Sequence, residues 1–497
     1  MSSDKLRQAR SLEAEAILQI PEAHRPAFHV TGGVGWINDP NGFSCCRGEY
    51  HLFFQYHPYS NQWGPMHWGH VKTKDFIRWQ RLPVALAPDQ EYDFHGCFSG
   101  SAVQTPDGKH LLMYTGVHKI PGENGVPAER QIQCIAIGDG VEYRKVPENP
   151  VLTAFDVPEG HSAVDFRDPK LWYDPEENRY YSVIGSRAPD DSGAVLLYSS
   201  PDGIHWEYVC ILDACRREYG RMWECPDFFP LDGAHVLLVN PQDMQPMGLE
   251  FHPGNGSLCI LGDYEKKTHR FTRRHVHSLD YGLDFYAPQT LLTPDGRRIL
   301  IGWMQNWAAC HAQPENFRWF GQMTLPRELS IRDGRLIQNP VRELENYRSN
   351  PVVHRNVPLS RETTLPGVQG RILDMTVTVR PGDKTGYRCF TMTLAQGGEY
   401  YSTVRFDPAA GTVCMDRTFS GFPHDIVHSR TFPVEPGQKL KLRVILDRFS
   451  AELFIRDGRQ CASMTLYTPR DCDGICFSAE GNAFLDVEKY DLRIPKE

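Results

Sequence analysis

The sequence predicts an all-β protein: a five-bladed β-propeller followed by a C-terminal β-sandwich, with a short N-terminal helix. Three observations predict it: a pattern recurring five times in the first 310 residues, a change of character after Pro326, and apolar/polar alternation in the tail.

The repeated pattern is two short strand-like runs joined by turn-forming residues. Its copies are NDPNGFSCCRGEYHLFFQY, FSGSAVQTPDGKHLLMYTG, FRDPKLWYDPEENRYYSVIGS, ECPDFFPLDGAHVLLVNPQ and FYAPQTLLTPDGRRILIGWMQ. Aligned, they place Asp39, Ser99, Asp168, Glu224 and Ala287 each nine residues before Gly48, Gly108, Glu177, Gly233 and Gly296. The aligned positions lie 56 to 69 residues apart, enough for a four-stranded antiparallel sheet each, hence a propeller of five blades. A second echo, TKDFIRW ending at Trp79 and SPDGIHW ending at Trp206, reads as outer strands of two blades. A WD-repeat propeller is disfavoured, because the chain contains no Trp-Asp dipeptide.

At the N-terminus, Leu6, Ala9, Leu12 and Ala16 fall near one helical face, with Asp4 placed to cap and Pro21 to stop the helix. The expected division is a helical segment over 1–24, the propeller over 25–335, a linker with a short helix over 336–351 and the sandwich over 352–497. In the last, ILDMTVTVRP and KLKLRVILDRFSAELFIRDGR alternate as half-buried antiparallel strands do.

Composition excludes several classes. With 53 Lys+Arg against 62 Asp+Glu the formal charge is −9, and no basic block offers a nucleic-acid footprint. Asp4, Glu13 and Glu15 interrupt any signal-peptide core, and no later stretch is apolar enough to span a membrane. A cytoplasmic protein is expected, and its 14 cysteines then read as reduced thiols. No metal site is expected: Cys45-Cys46 and Cys472/Cys476 make no zinc half-site, and the His67/His70 pair fits aromatic packing or a sugar hydrogen bond better.

In a propeller the innermost strand of every blade faces a central channel, so the register gathers Asp39, Asp168 and Glu224 at one pocket. Three carboxylates on one cavity repel one another and raise at least one pKa, which lets a protonated acid stand beside an ionised base. Arg167 is expected to favour ionisation of its neighbour Asp168. Glu224 is set among Met222, Trp223, Cys225, Phe228 and Phe229, where a carboxylate is costly without purpose. Taken singly, Asn-Asp-Pro-Asn-Gly is a good turn and Arg-Asp-Pro could be a surface ion pair. The shared register argues against coincidence.

WINDPNG at 36–42, FRDP at 166–169 and WECPD at 223–227 resemble the signature triplet of glycoside hydrolase family 32. The likeness extends to HLFFQYHPYSNQWGPMHWGH, FSGSA, DYGLDFYAPQ and GWMQNW. It departs at Phe98, where many members have Trp, and at Ile37, where Met or Leu is common. The resemblance implies Asp39 as nucleophile, Glu224 as acid/base and Asp168 as transition-state stabiliser, with no metal or organic cofactor. It further implies that Asn38, Gln55, Trp63, Phe98, Ser99, Arg167 and Trp303 hold a fructosyl unit, Trp63 or Trp303 giving an apolar wall. The resemblance also implies that Asp280 reaches the leaving-group sugar.

The expected reaction is retaining hydrolysis of a β-D-fructofuranosyl bond of sucrose or sucrose 6-phosphate. Short fructo-oligosaccharides are also within reach of such a site. For a phosphate, His57, His67, Lys119 and Arg327 are the rim cations considered. Alternatives are an exo-acting fructan hydrolase, a fructosyltransferase and, from a different class, a non-catalytic carbohydrate-binding propeller. The sandwich shows no catalytic constellation. Its expected role is structural, covering a propeller face or supporting a homodimer.

Overall fold

The computed structural model describes residues 3–121, 127–310, 312–314, 316–422 and 426–495. Helix α1 spans Asp4–Ile17 and buries Leu6, Ala9, Glu13 and Ala16. Its cap is Ser3, whose side chain accepts from the Leu6 N–H at 3.2 Å, and not Asp4, which already lies inside the first turn. The helix ends four residues before Pro21.

Among the described residues, five antiparallel sheets of four strands each follow, running from Gly35 to Pro340. The first carries a fifth strand, Trp319–Phe320, paired in parallel with Gly35 and Trp36. The innermost strands are Gly35–Cys46, Gly96–Gln104, Phe166–Asp174, Met222–Leu231 and Tyr286–Leu292, and each touches the next until the last meets the first. That closed ring is the propeller. Four of the five aligned turn positions are glycines with a left-handed backbone, with φ of 77° at Gly48, 80° at Gly108, 81° at Gly233 and 84° at Gly296. In the third copy that conformation falls on Asn178 (φ 52°), one residue after Glu177.

The TKDFIRW and SPDGIHW echoes are turns between the third and fourth strands of their blades, a correction to the outer-strand expectation. The reason is local hydrogen bonding by short polar side chains. Asp75 Oδ1 accepts the N–H groups of Ile77 and Arg78, and Asp202 Oδ1 accepts those of Ile204 and His205. Thr73 and Ser200 hydroxyls accept the N–H groups of Phe76 and Gly203.

The fifth blade ends with Arg335–Pro340, and after a 3₁₀ turn the strand Arg348–Leu359 opens the C-terminal domain. That domain stacks a six-stranded sheet on a five-stranded one around a core that includes Leu373, Met375, Phe390, Phe406, Leu442 and Leu485. A sealed polar seam joins it to the propeller. His29 lies between Asp447 at 2.8 Å and Glu452 at 2.9 Å, and Glu452 also accepts from Arg327 at 2.6 Å, all with no side-chain exposure.

Candidate active site

All five inner strands lose their regular pairing at the same place. The register shifts fall between Ile37 and Pro40, Phe98 and Gly100, Arg167 and Lys170, Glu224 and Asp227, and Tyr286 and Gln289. These bulges contain or adjoin the five aligned positions, and a bulge re-aims the side chain that it carries. Three of them hold a non-glycine residue with left-handed backbone: Asp168 (φ 65°), Cys225 (φ 44°) and Ala287 (φ 49°). Such conformations persist only where surroundings enforce them. Here the Asp168 N–H donates to the Thr115 hydroxyl at 2.9 Å, and the Ala287 N–H donates to Asn240 Oδ1 at 3.2 Å.

The carboxylates of blades 1, 3 and 4 meet in one network. Asp39 Oδ2 accepts from the Ser99 hydroxyl at 2.6 Å and from the Cys225 thiol at 3.5 Å, while Oδ1 accepts from Asn38 at 3.1 Å. Asn38 is itself fixed by the Trp36 indole N–H at 2.8 Å. Asp168 Oδ2 accepts the Cys225 N–H at 3.0 Å. Glu224 Oε1 accepts from Arg167 Nε at 3.1 Å and Nη2 at 3.0 Å, and Oε2 accepts from the Tyr286 hydroxyl at 2.6 Å.

Burial pushes the Asp39 carboxyl above the usual range, and the Glu224 charge adds to it. Asp168 is pushed up to about 7, first by burial and then by the charges of Glu224 and Asp39. Arg167 favours ionisation of its neighbour, as expected, but burial and the two like charges outweigh it. Its guanidinium turns instead to Glu224 and to Asp165 Oδ1 (2.8 Å), leaving Asp168 Oδ2 at 3.9 Å. The apolar sequence neighbours of Glu224 do not enclose its carboxylate either: Trp223 and Phe228 pack into the core between blades 3 and 4, and Phe229 into that between blades 4 and 5.

Around the carboxylates, Gln55 is buried and donates to the Cys97 carbonyl at 3.0 Å. Trp63 is 48% exposed and meets Phe98 edge-on at 6.0 Å, so it offers a free aromatic face. Trp303 is fully buried against Trp36 and Trp307 and offers none, a correction to its reading as a wall. Asp280 is also corrected. It accepts from Arg327 Nη1 at 2.9 Å and from the Ser463 hydroxyl and N–H at 2.8 and 3.0 Å, sealed in the seam between the domains. The segment runs along the sandwich strand Gln460–Thr465 through Tyr281 N–H to Cys461 O and Asp284 N–H to Ser463 O. A Cβ on Gly282 would stand 2.1 Å from Ser463 backbone atoms, so the Asp-Tyr-Gly run serves that close contact.

Two polar residues were missed. Tyr286 immediately precedes the aligned position Ala287, and Asn240 pairs directly with Glu224 across the blade. Asn240 Nδ2 donates to the Glu224 carbonyl at 3.1 Å, and its own carbonyl accepts from Tyr286 at 3.2 Å. Extending the register to second strands would have found Asn240. The His67/His70 pair resolves as packing: His70 stacks on Phe53 at 3.9 Å and hydrogen-bonds His51 at 3.0 Å. A cavity of about 660 Å³ lies elsewhere in the propeller, lined by Phe43, Leu171 and Phe228, and none of the three carboxylates borders it.

The model of the glycosyl hydrolases family 32 N-terminal domain matches residues 29–340, and that of the family 32 C-terminal domain matches 343–492. Among relatives, the raffinose invertase of Escherichia coli is 38% identical over 469 residues, covering 93% of each chain. A sucrose-6-phosphate hydrolase of the same species is 35% identical over 492 residues, covering 98% of each. The solved structure of a Bombyx mori β-fructofuranosidase in complex with sucrose superposes with a TM-score of 0.85 at 33% identity over 100% of both chains. With both of its domains matched, this chain belongs to glycosyl hydrolase family 32.

Proposed function

We propose that the protein hydrolyses the β-D-fructofuranosyl bond of sucrose, with Asp39 as nucleophile, Glu224 as acid/base and Asp168 as stabiliser of the transition state. The observation that carries this reading is the asymmetry of the three carboxylates. Asp39 is held by donors from Ser99 and Asn38, while Glu224 sits between a guanidinium and a phenol that can reorient.

In the first step an Asp39 oxygen bonds to C2 of the fructosyl unit as the C2–O bond to glucose breaks, and Glu224 gives its proton to the departing oxygen. In the second step water attacks C2, Glu224 takes a proton from it, and the Asp39 ester bond breaks to release fructose with the configuration retained. Glu224 therefore alternates between two protonation states. The Tyr286 hydroxyl suits both: it donates to ionised Glu224 at 2.6 Å, or turns to the Asn240 carbonyl at 3.2 Å and accepts the Glu224 proton. Ionised Asp168 accepts sugar hydroxyls and faces the positive charge that develops at C2. Trp63 gives the apolar wall, and Asn38, Gln55, Phe98, Ser99 and Arg167 shape the fructosyl subsite.

Unphosphorylated sucrose is favoured over its 6-phosphate. Arg327 is sealed in the seam between the domains, and burial lowers the pKa of His57 and brings that of His67 to about 4, so neither imidazole is charged near neutrality. Lys119 alone of the four rim residues considered remains an exposed cation. Glucose release from sucrose by wild type, Asp39→Ala and Glu224→Ala proteins tests the reading. Undiminished release by either variant would reject it, and a higher kcat/KM on sucrose 6-phosphate than on sucrose would reverse the substrate preference. We place the catalytic unit between Ala27 and Pro340, with the sandwich beginning at Arg348.

A further inference from the structure

An alternating series of charges leads from Glu224 to the protein surface. Glu224 accepts from Arg167, whose Nη1 donates to Asp165 Oδ1 at 2.8 Å. Asp165 Oδ2 accepts from Arg187 Nε at 2.8 Å, Arg187 Nη1 pairs with Asp191 Oδ1, and Asp191 Oδ2 accepts from Arg221 Nη2 at 2.7 Å. Side-chain exposure rises along the series, from 9% at Arg167 through 22% at Asp165 and 33% at Arg187 to 49% at Asp191 and 56% at Arg221. None of these residues after Arg167 touches the carboxylates themselves.

We propose that Asp165 is a positioning residue for the reaction, turning the Nε/Nη2 edge of Arg167 onto Glu224 and tempering the positive charge that the acid/base feels. The inference rests on the acid/base reading of Glu224. Arg167 has three acidic neighbours and one guanidinium. Asp165 takes its Nη1 corner together with Gln131 Oε1 at 3.2 Å, so the opposite edge is left for Glu224 and cannot swing to Asp168. Asp165 is in turn fixed by Arg187 and by Ser162, whose hydroxyl accepts its N–H at 2.9 Å. The other groups facing Glu224 are Tyr286, Asp39, Asp168 and Cys225, and none of them contacts Asp165.

The sign follows from charge. Removing the negative charge of Asp165 strengthens the field of Arg167 at Glu224 and Asp168, which favours their ionised forms. Removing the positive charge of Arg187 does the reverse, more weakly because it is farther away and better solvated. The test is the bell-shaped dependence of sucrose kcat/KM on pH in four proteins: wild type, Asp165→Asn, Asp165→Glu and Arg187→Gln. Asp165→Asn is expected to displace the bell to lower pH by about half a unit to one unit, Arg187→Gln to displace it slightly to higher pH, and Asp165→Glu to restore the parent position. A merely structural residue would lower the height of the bell in every variant and leave its limbs in place. That outcome, or displacement of both variants in the same direction, overturns the proposal. If Asp165→Asn does not fold, Asp191→Asn at the exposed end carries the same test with the same sign as Asp165→Asn. Sucrose hydrolysis that survives Glu224→Ala would fell the acid/base reading itself, whereas limbs that do not move in an enzyme dependent on Glu224 fell only the role of Asp165.

Discussion

Arg167 precedes Asp168 in the chain, yet its guanidinium lies 3.0 Å from Glu224 and 3.9 Å from Asp168. One cation among three carboxylates thus lies mainly on Glu224, the proposed acid/base, and at Asp168 burial and like charge outweigh it.

The acid limb of activity should accordingly report Asp168. Its pKa is pushed up to about 7 by burial and by the neighbouring charges of Glu224 and Asp39, and only the ionised form stabilises a cationic transition state. The ionised fraction falls as pH drops below that value, so kcat/KM should fall with it. Asp168→Asn should cost about 10²-fold or more in kcat and remove this limb. A pH profile of the variant that keeps the parent's acid limb would assign it to another group.

Tyr286→Phe should slow both chemical steps, since it removes the donor that sits 2.6 Å from Glu224 Oε2. A reduction in kcat of about tenfold with little change in KM is expected, because the loss falls on proton transfer and not on sugar binding. Steady-state kinetics on sucrose decide it. Trp63→Ala should show the opposite pattern, a raised KM with kcat largely kept, since its 48% exposed ring is the apolar wall proposed for the sugar.

Asp280→Ala should unfold the protein more readily without changing its preference among substrates. The variant leaves Arg327 buried with one fewer of its anionic partners, a loss worth about 3–5 kcal/mol for a sealed pair. Thermal denaturation measures the first effect, and the ratio of sucrose to inulin hydrolysis the second. A shifted ratio would return Asp280 to the sugar site.

The seam between the domains should weaken at alkaline pH. Burial works against a charged His29, but the Asp447 and Glu452 carboxylates prevail and raise its pKa to about 9, against 6.5 for the free side chain. A base with a raised folded-state pKa contributes stability that is complete below about 6.5 and is lost as pH climbs through 9. The contribution is on the order of 3 kcal/mol. Urea midpoints between pH 6 and 10 should decline across that window in wild type and stay flatter in His29→Gln.

The scaffold was readable because it is periodic. Five copies with one spacing between aligned position and turn point to five equivalent hairpins, and the closed ring of inner strands then brings Asp39, Asp168 and Glu224 together. The same periodicity located Tyr286 and Asn240 implicitly, one residue from an aligned position and directly across from another. The TKDFIRW echo misled because strands and the turns that join them repeat with equal regularity.

Asp280, Arg327 and Trp303 could not be judged from the sequence, because a polar residue beside a motif looks the same whether it faces a sugar or another domain. The chain by itself determined which residues occupy equivalent places, since repeat spacing is a property of order along the backbone. Only the tertiary structure decided what each one touches: Arg167 faces Glu224, Asp280 faces Ser463 and Trp303 is sealed by Trp36. Side-chain direction at a bulge, and burial between two domains, are set by contacts between residues far apart in the chain.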